Sequence, residues 1–285
     1  MRKNNNHKFK HSLGQNFIED EFLLEDIADG SNISSANFIL EIGPGNGALT
    51  RCLTERAKYV VTVEIDKSLI PLLKDNLKTY DNVSIINADY LNYDFSNILN
   101  EFSLHGFDKN IDHIKVVANI PYYITSPIIM SLLFNPYISE MTIMVQKEVA
   151  ERIVALPGNR DFGVLTLACN YFSKTECLMI VGKECFYPVP KVDSAVVKFI
   201  KHPNFIDTTN ELNFNIENDT NYKNLFSLIK AAFSQRRKKL SNSLVNVLNY
   251  DKVKVINALN SLNFSENIRA EDLSLTDYQN LLKIL

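Results

Sequence analysis

The 285 residues contain only four cysteines, and Cys52, Cys169, Cys177 and Cys185 form neither a CxxC pair nor a zinc-like cluster. A disulfide framework and a zinc module are both excluded on that spacing, and the thiols read as reduced and packed, in a cytoplasmic protein. No stretch approaches the ~18 uninterrupted apolar residues that a membrane span requires. The basic N-terminus, MRKNNNHKFKHS, has no apolar run behind it and is not expected to be a secretory signal. No internal repeat is evident, and no set of side chains suggests a metal site. What the chain does have is 46% hydrophobic and 22% charged residues, enough for a packed core and too apolar for wholesale disorder.

The net charge of −3 is small, but it is unevenly spread. Residues 1–20 carry +2, residues 21–146 carry −8 and residues 147–285 carry +3. A polyanion would therefore be met by local basic patches near the ends of the chain.

Short apolar runs alternate with amphipathic ones over the first two-thirds, the pattern of a mostly parallel sheet flanked by helices. Strands are expected at Phe38–Gly43, Tyr59–Ile65, Val83–Ala88, Ile114–Ile120 and Glu140–Val145. Helices are expected at Gly47–Lys58, Lys67–Tyr80, Ser126–Phe134 and Lys147–Leu156. Cys177–Val181 and Ser194–Ile200 read as two further strands closing the sheet. Residues 203–220 are polar and Asn-rich, a linker, and the pattern from Tyr222 onward is helical. The expected organisation is an α/β, Rossmann-like domain over 1–202 and a small all-helical domain over 221–285.

In FILEIGPGNGALT, Gly43, Gly45 and Gly47 follow an apolar strand and precede a helix. Glycine there lets the backbone turn sharply and approach a ligand with no Cβ in the way. Glu64 ends the next strand about 20 residues later, where a carboxylate can accept both hydroxyls of a ribose. Asp89 follows a third strand, where it would accept from a cofactor's adenine amine or serve as an ordinary turn residue. The turn lacks the longer GxGxxG form of NAD enzymes. A pyrophosphate also disfavours an acid beside it, whereas a methionine zwitterion tolerates Glu41. S-adenosylmethionine is the favoured cofactor.

After the fourth strand comes Asn119-Ile120-Pro121-Tyr122, which resembles the [NDS]-[IP]-P-[YF] loop of methyltransferases acting on amino groups conjugated to an aromatic ring. The lone pair of such an amine is delocalised, so the nitrogen is a poor nucleophile. The Asn119 side-chain oxygen and a backbone carbonyl at Ile120 or Pro121, accepting its two hydrogens, would draw it towards tetrahedral geometry and free the pair for in-line attack. Pro121 fixes the backbone so that the acceptors converge. Tyr122 offers a ring for the base to stack on, contributing ~1–3 kcal/mol.

GQNF (Gly14–Phe17), NIPYYITSPIIM (Asn119–Met130), QKEVAERIVALPGNRDFGVLT (Gln146–Thr166) and FYPVPKVDSAVV (Phe186–Val197) extend the resemblance. With the glycine turn they are similar, in order and over about residues 8–200, to the bacterial ribosomal small-subunit adenine dimethyltransferases. The resemblance implies that Asn16 and Ile18 contact the cofactor beside Gly43, Gly45, Glu64, Asp89 and Asn119. Ile18 departs mildly from the family's more usual Leu. It also implies that two adjacent adenosines in a hairpin loop near the 3′ end of 16S rRNA, within an immature 30S subunit, are each dimethylated. Phe186, ahead of Pro188 and Pro190, would then form a second aromatic wall against an extruded base; a buried core position is the alternative.

Arg236, Arg237, Lys238 and Lys239 form the strongest basic run, expected early in the helical domain, where they would bind RNA phosphates across the mouth of the catalytic cleft or simply remain solvated. The tail residues Arg2, Lys3, Lys8 and Lys10 would order on RNA or stay a loose end. Nothing demands more than a monomer. The 23S rRNA methyltransferases of the macrolide-resistance type share QNF and NIPY. A ribosome-assembly factor with secondary catalysis is a rival of another class. DNA adenine methyltransferases more often carry Asp-Pro-Pro-Tyr, and an NAD oxidoreductase leaves NIPY unexplained.

Overall fold

Continuous apolar runs such as FILEI and YVVTVE suit strands covered on both faces, and in the computed structural model of the chain every residue of both is buried. The structure describes residues 16–18, 20–206 and 219–285. Contacts divide the chain into two units, 1–150 with 176–208 and 151–175 with 209–285.

The first unit runs β1 (Phe17–Ile18), α1 (Glu21–Gly30), β2 (Phe38–Ile42), α2 (Ala48–Thr54), β3 (Tyr59–Glu64), α3 (Ile70–Leu77), β4 (Val83–Asn87), α4 (Phe95–Leu104), β5 (Ile114–Asn119), α5 (Thr125–Phe134) and β6 (Ile138–Gln146). Through α6 (Lys147–Ile153) the chain enters the second unit, which holds α7 (Val164–Phe172). It returns along β7 (Ser173–Val181) to β8 (Phe186–Tyr187) and β9 (Ser194–Lys201). The helices α8 (Thr220–Phe233), α9 (Leu240–Leu248), α10 (Lys252–Ser261) and α11 (Leu275–Ile284) complete the second unit.

Seven strands form one sheet in the order β4-β3-β2-β5-β6-β9-β7. The pairs from β4 to β6 are parallel, and β9 lies antiparallel on β6. This is the Rossmann-like α/β arrangement read from the sequence, and the expected strands recur with shifts of a few residues at their ends. The chain steps from β2 to one side through β3 and β4, then to the other through β5 and β6. That reversal opens a crevice beyond the carboxyl ends of β2 and β5, the usual place for a ligand in such sheets. A separate two-stranded ribbon pairs β1 with β8, Phe17 opposite Tyr187 and Ile18 opposite Phe186. Asp20 caps α1 by accepting from the Phe22 and Leu23 amides, which fixes where the chain turns from the ribbon into the helix.

The second unit is not a C-terminal stretch alone, as the expected division at residue 202 has it: residues 151–175 belong with the final helices. The cause is aromatic packing, with the Tyr171 ring 5.6 Å from both Tyr222 and Phe226, and Phe172 5.8 Å from Tyr222. Most of the expected linker, residues 207–218, and the basic tail with Arg2, Lys3, Lys8 and Lys10 lie outside the described residues. Among the described residues, no helix is long and apolar enough to cross a membrane.

Candidate active site

The crevice at the sheet's carboxyl edge is an open cavity. The turn after β2, Glu64 at the end of β3, Asp89 after β4 and Asn119 to Tyr123 after β5 line it, with Asn16 to Ile18 forming a further wall. Every cofactor-binding residue expected from the sequence (Asn16, Ile18, Gly43, Gly45, Glu64, Asp89 and Asn119) is on that lining.

Gly45 explains how the wall and the turn fit together. Its φ is +60°, and a Cβ there would stand 2.6 Å from Cε1 of Phe17. The missing side chain therefore admits the Phe17 ring, which differs from the expectation that it clears room for a ligand. Phe17 was not singled out in the sequence, although QNF contains it. The Gly45 amide donates to Oε2 of Glu64 at 3.1 Å, while the Asp66 amide donates to Oε1 at 2.7 Å. Both carboxylate oxygens are thus held by backbone donors. Burial raises the Glu64 carboxyl above its ordinary range, and those two bonds oppose the rise. Glu41, 1% exposed, accepts from the Thr50 hydroxyl at 2.6 Å. Burial raises its pKa to about 8; the Thr50 bond works against this and the nearby Glu64 charge adds to it.

Asp89 is a turn residue that also faces the cavity. It lines the cavity, and its two oxygens accept from the Leu91 amide at 3.1 Å and the Asn92 amide side chain at 2.7 Å, which fixes the carboxylate in the turn.

In the tetrapeptide, the Asn119 side-chain nitrogen donates to the Asn16 carbonyl at 3.3 Å. That bond turns Oδ1 away from Asn16 and keeps it available as an acceptor. The Pro121 carbonyl is occupied by the Ile124 amide at 3.2 Å and the Thr125 hydroxyl at 3.4 Å. No bond among the described residues engages the Ile120 carbonyl, so of the two carbonyls left open by the sequence it is the free one. The Tyr122 ring lines the cavity, and its hydroxyl meets Oγ of Ser194 at 2.7 Å. Burial raises the Tyr122 phenol above its ordinary pKa, with the Ser194 bond opposing.

Phe186 is not brought to the cavity. It is 2% exposed and packs with Ile18, Leu24, Ile27 and Val196 in the core. The reason is the ribbon: side chains alternate along a strand, so pairing β8 with β1 sends Phe186 inward with Ile18 and leaves Tyr187 outside. The expected aromatic wall at this position gives way to the core alternative.

The basic run lies in the turn between α8 and α9, not on a helix, because α8 ends at Phe233 and α9 begins at Leu240. Its four residues differ in what they do. The Arg236 guanidinium donates to the carbonyls of Arg160 and Phe162 and stands 5.8 Å over the Phe233 ring. Lys239 pairs loosely with Glu266 at 3.7 Å. Arg237 and Lys238 are exposed, and while the Lys238 amide donates to the Gln235 carbonyl at 2.8 Å, neither side chain makes a hydrogen bond or ion pair to the described residues.

A model of the ribosomal RNA adenine dimethylase family matches residues 6–285. The ribosomal RNA small subunit methyltransferase A of Clostridium botulinum (strain Loch Maree / Type A3) is 42% identical over 275 residues, covering 96% of this chain and 93% of that protein. Its namesake from Caldanaerobacter subterraneus subsp. tengcongensis is 43% identical over 280 residues, 98% of this chain and 97% of that one. Among solved structures, a dimethyladenosine transferase from Plasmodium falciparum aligns with a TM-score of 0.75 at 28% identity, covering 93% of this chain and 95% of that one. The 23S rRNA methyltransferase ErmE aligns with a TM-score of 0.69 at 25% identity, over 94% of this chain and 99% of its own.

Proposed function

The chain belongs to the ribosomal RNA adenine dimethylase family, and on that premise we propose that it transfers methyl groups from S-adenosylmethionine to N6 of adenosines in small-subunit rRNA. Its expected targets are two adjacent adenosines in a hairpin loop near the 3′ end of 16S rRNA, each dimethylated, on an immature 30S particle in the cytoplasm. The protein would act as a monomer and contribute to small-subunit biogenesis.

The donor set suits this cofactor. Glu64, with both oxygens aligned by backbone amides, would accept the ribose hydroxyls. Asp89 would accept from the adenine amine, and the glycine turn with Asn16 and Ile18 would flank the methionine part. When bound, S-adenosylmethionine supplies an electrophilic methyl on a cationic sulfur. The chain's own task is to present the nucleophile. Oδ1 of Asn119 and the Ile120 carbonyl would each accept one hydrogen of the target amine, which favours a tetrahedral nitrogen over the conjugated planar one. Tyr122 would stack on the base and hold it in line.

The observation that carries this reading is the Asn119 bond to Asn16, which turns the acceptor oxygen away from Asn16, while of the Ile120 and Pro121 carbonyls only that of Ile120 is without a bond among the described residues. The test incubates the protein with labelled S-adenosylmethionine and either 16S or 23S particles from a strain lacking these methylations, then maps the label. Label on adjacent adenosines of the small-subunit RNA supports the proposal. Label in 23S RNA would favour the macrolide-resistance type, whose solved relative also aligns over nearly the whole chain. Tight particle binding without any label would leave an assembly factor.

A further inference from the structure

Two tyrosines stand side by side after Pro121, and the structure gives them different surroundings. Both lie in the short 3₁₀ turn Tyr122–Ile124, where successive residues are rotated by about 120°. Tyr122 is half-buried and tied through its hydroxyl to Ser194. Tyr123 also lines the cavity, yet it is 59% exposed and its hydroxyl makes no hydrogen bond to the described residues. A large ring at the rim of a binding cavity, neither packed into the core nor anchored by its polar end, is a surface available to a planar apolar partner.

The chemistry of the proposed substrate supplies that partner. Because successive residues of that turn project about 120° apart, the Tyr123 ring faces a different direction from the Tyr122 ring and is offered to a second base rather than to the one held on Tyr122. Two neighbouring bases can therefore meet two neighbouring rings. We infer that Tyr123 is a specificity-determining residue, a stacking surface for the nucleobase adjacent to the one being methylated. The inference rests on the RNA adenine reading above. It accounts for a preference for adjacent adenosines, because the companion base is then a purine with a wide π-face.

The test compares wild type with Tyr123→Ala, Tyr123→Leu and Tyr123→Phe. The substrate is unmethylated small-subunit particles reconstituted with either adenosine or uridine beside the target adenosine. Tyr123→Ala should raise the KM for adenosine-containing particles at least about fivefold, the lower end of what loss of one stacked base brings. Cofactor affinity by calorimetry should stay unchanged. Tyr123→Phe should restore the wild-type KM, and Tyr123→Leu should not. The change from adenosine to uridine should raise KM for wild type and have little effect on Tyr123→Ala. An unchanged KM in Tyr123→Ala, a parallel loss of cofactor affinity, or an equal uridine effect in both proteins would overturn the inference. Failure of wild type to methylate any small-subunit particle would instead bring down the reading on which it rests.

Discussion

The hydroxyl of Tyr122, in the turn after β5, lies 2.7 Å from Oγ of Ser194 at the start of β9, a residue with no exposed surface. A ring that the tetrapeptide alone would leave free to rotate is thereby tethered to a strand two places along the sheet from its own.

That tether changes what Tyr122→Phe should do. If the ring alone mattered, the substitution would be neutral. With a fully buried partner left without its bond, it should instead cost about 1 kcal/mol of stability. A double-mutant cycle with Ser194→Ala should show coupling of about 0.5–1.5 kcal/mol in urea unfolding. Strictly additive effects would show that the bond contributes nothing. Tyr122→Ala should reduce both base capture and single-turnover rate further, since it removes the stacking surface itself.

Asn119→Ala should slow methyl transfer by about 10²–10³, as for loss of one preorganised polar group. The interaction strengthens as the nitrogen becomes tetrahedral, so the loss belongs in kcat. Single-turnover rates at saturating cofactor are the proper readout, because the same side chain also holds Asn16 at the pocket wall. A rate within threefold of wild type would remove Asn119 from the chemistry.

Glu64→Ala should weaken S-adenosylmethionine binding by about 1.5–3 kcal/mol, the range for a charged hydrogen bond. Calorimetry on the folded variant decides this. Unaltered affinity would mean that the carboxylate only organises the Gly45 and Asp66 amides.

Glu41 predicts a pH dependence. The unfolded chain releases this proton near 4.5, whereas burial holds it in the folded state until about 8. Between those values the folded protein binds a proton that the unfolded chain does not. Stability contributed by this group is therefore greatest at low pH and falls as pH rises, by at most about 1.4 kcal/mol per unit. Glu41→Gln should flatten that slope in urea titrations from pH 5 to 8.5. Parallel curves for the two proteins would show Glu41 to be ionised in the native state.

The basic turn yields a division of labour. Arg237→Ala with Lys238→Ala should flatten the salt dependence of particle binding by up to about two counterions. Arg236→Ala should chiefly lower the unfolding midpoint, since its guanidinium holds the Arg160 and Phe162 carbonyls. A full salt-slope effect from Arg236 alone would reverse that assignment.

The glycine turn, Glu64, Asp89 and the tetrapeptide were legible in the sequence because each is a local strand-end feature. Sequence alone does not decide between the two readings of Phe186, because its direction depends on a strand pair whose partners are far apart in the chain, which no local pattern encodes. Ser194 and Phe17 went unassigned for the same reason. Their roles exist only once β9 faces the Tyr122 turn and β1 faces Gly45. The basic run falls in a turn although its flanks are helical, and nothing local shows that Arg236 would be bound by carbonyls of residues 160 and 162.

The pairing of Phe17 with Tyr187 also sets a schedule. During synthesis the chain leaves the ribosome from its N-terminus, so the first wall of the pocket emerges long before the strand that holds it. The glycine turn, the acidic strand ends and the tetrapeptide can all be present on a nascent chain while Asn16 to Ile18 still lack their support. The second unit waits longer still, since residues 151–175 find their partners only when the C-terminal helices appear. A chain released early, or cut before Tyr187, would carry every residue of the cavity lining and still lack the strand that braces its first wall.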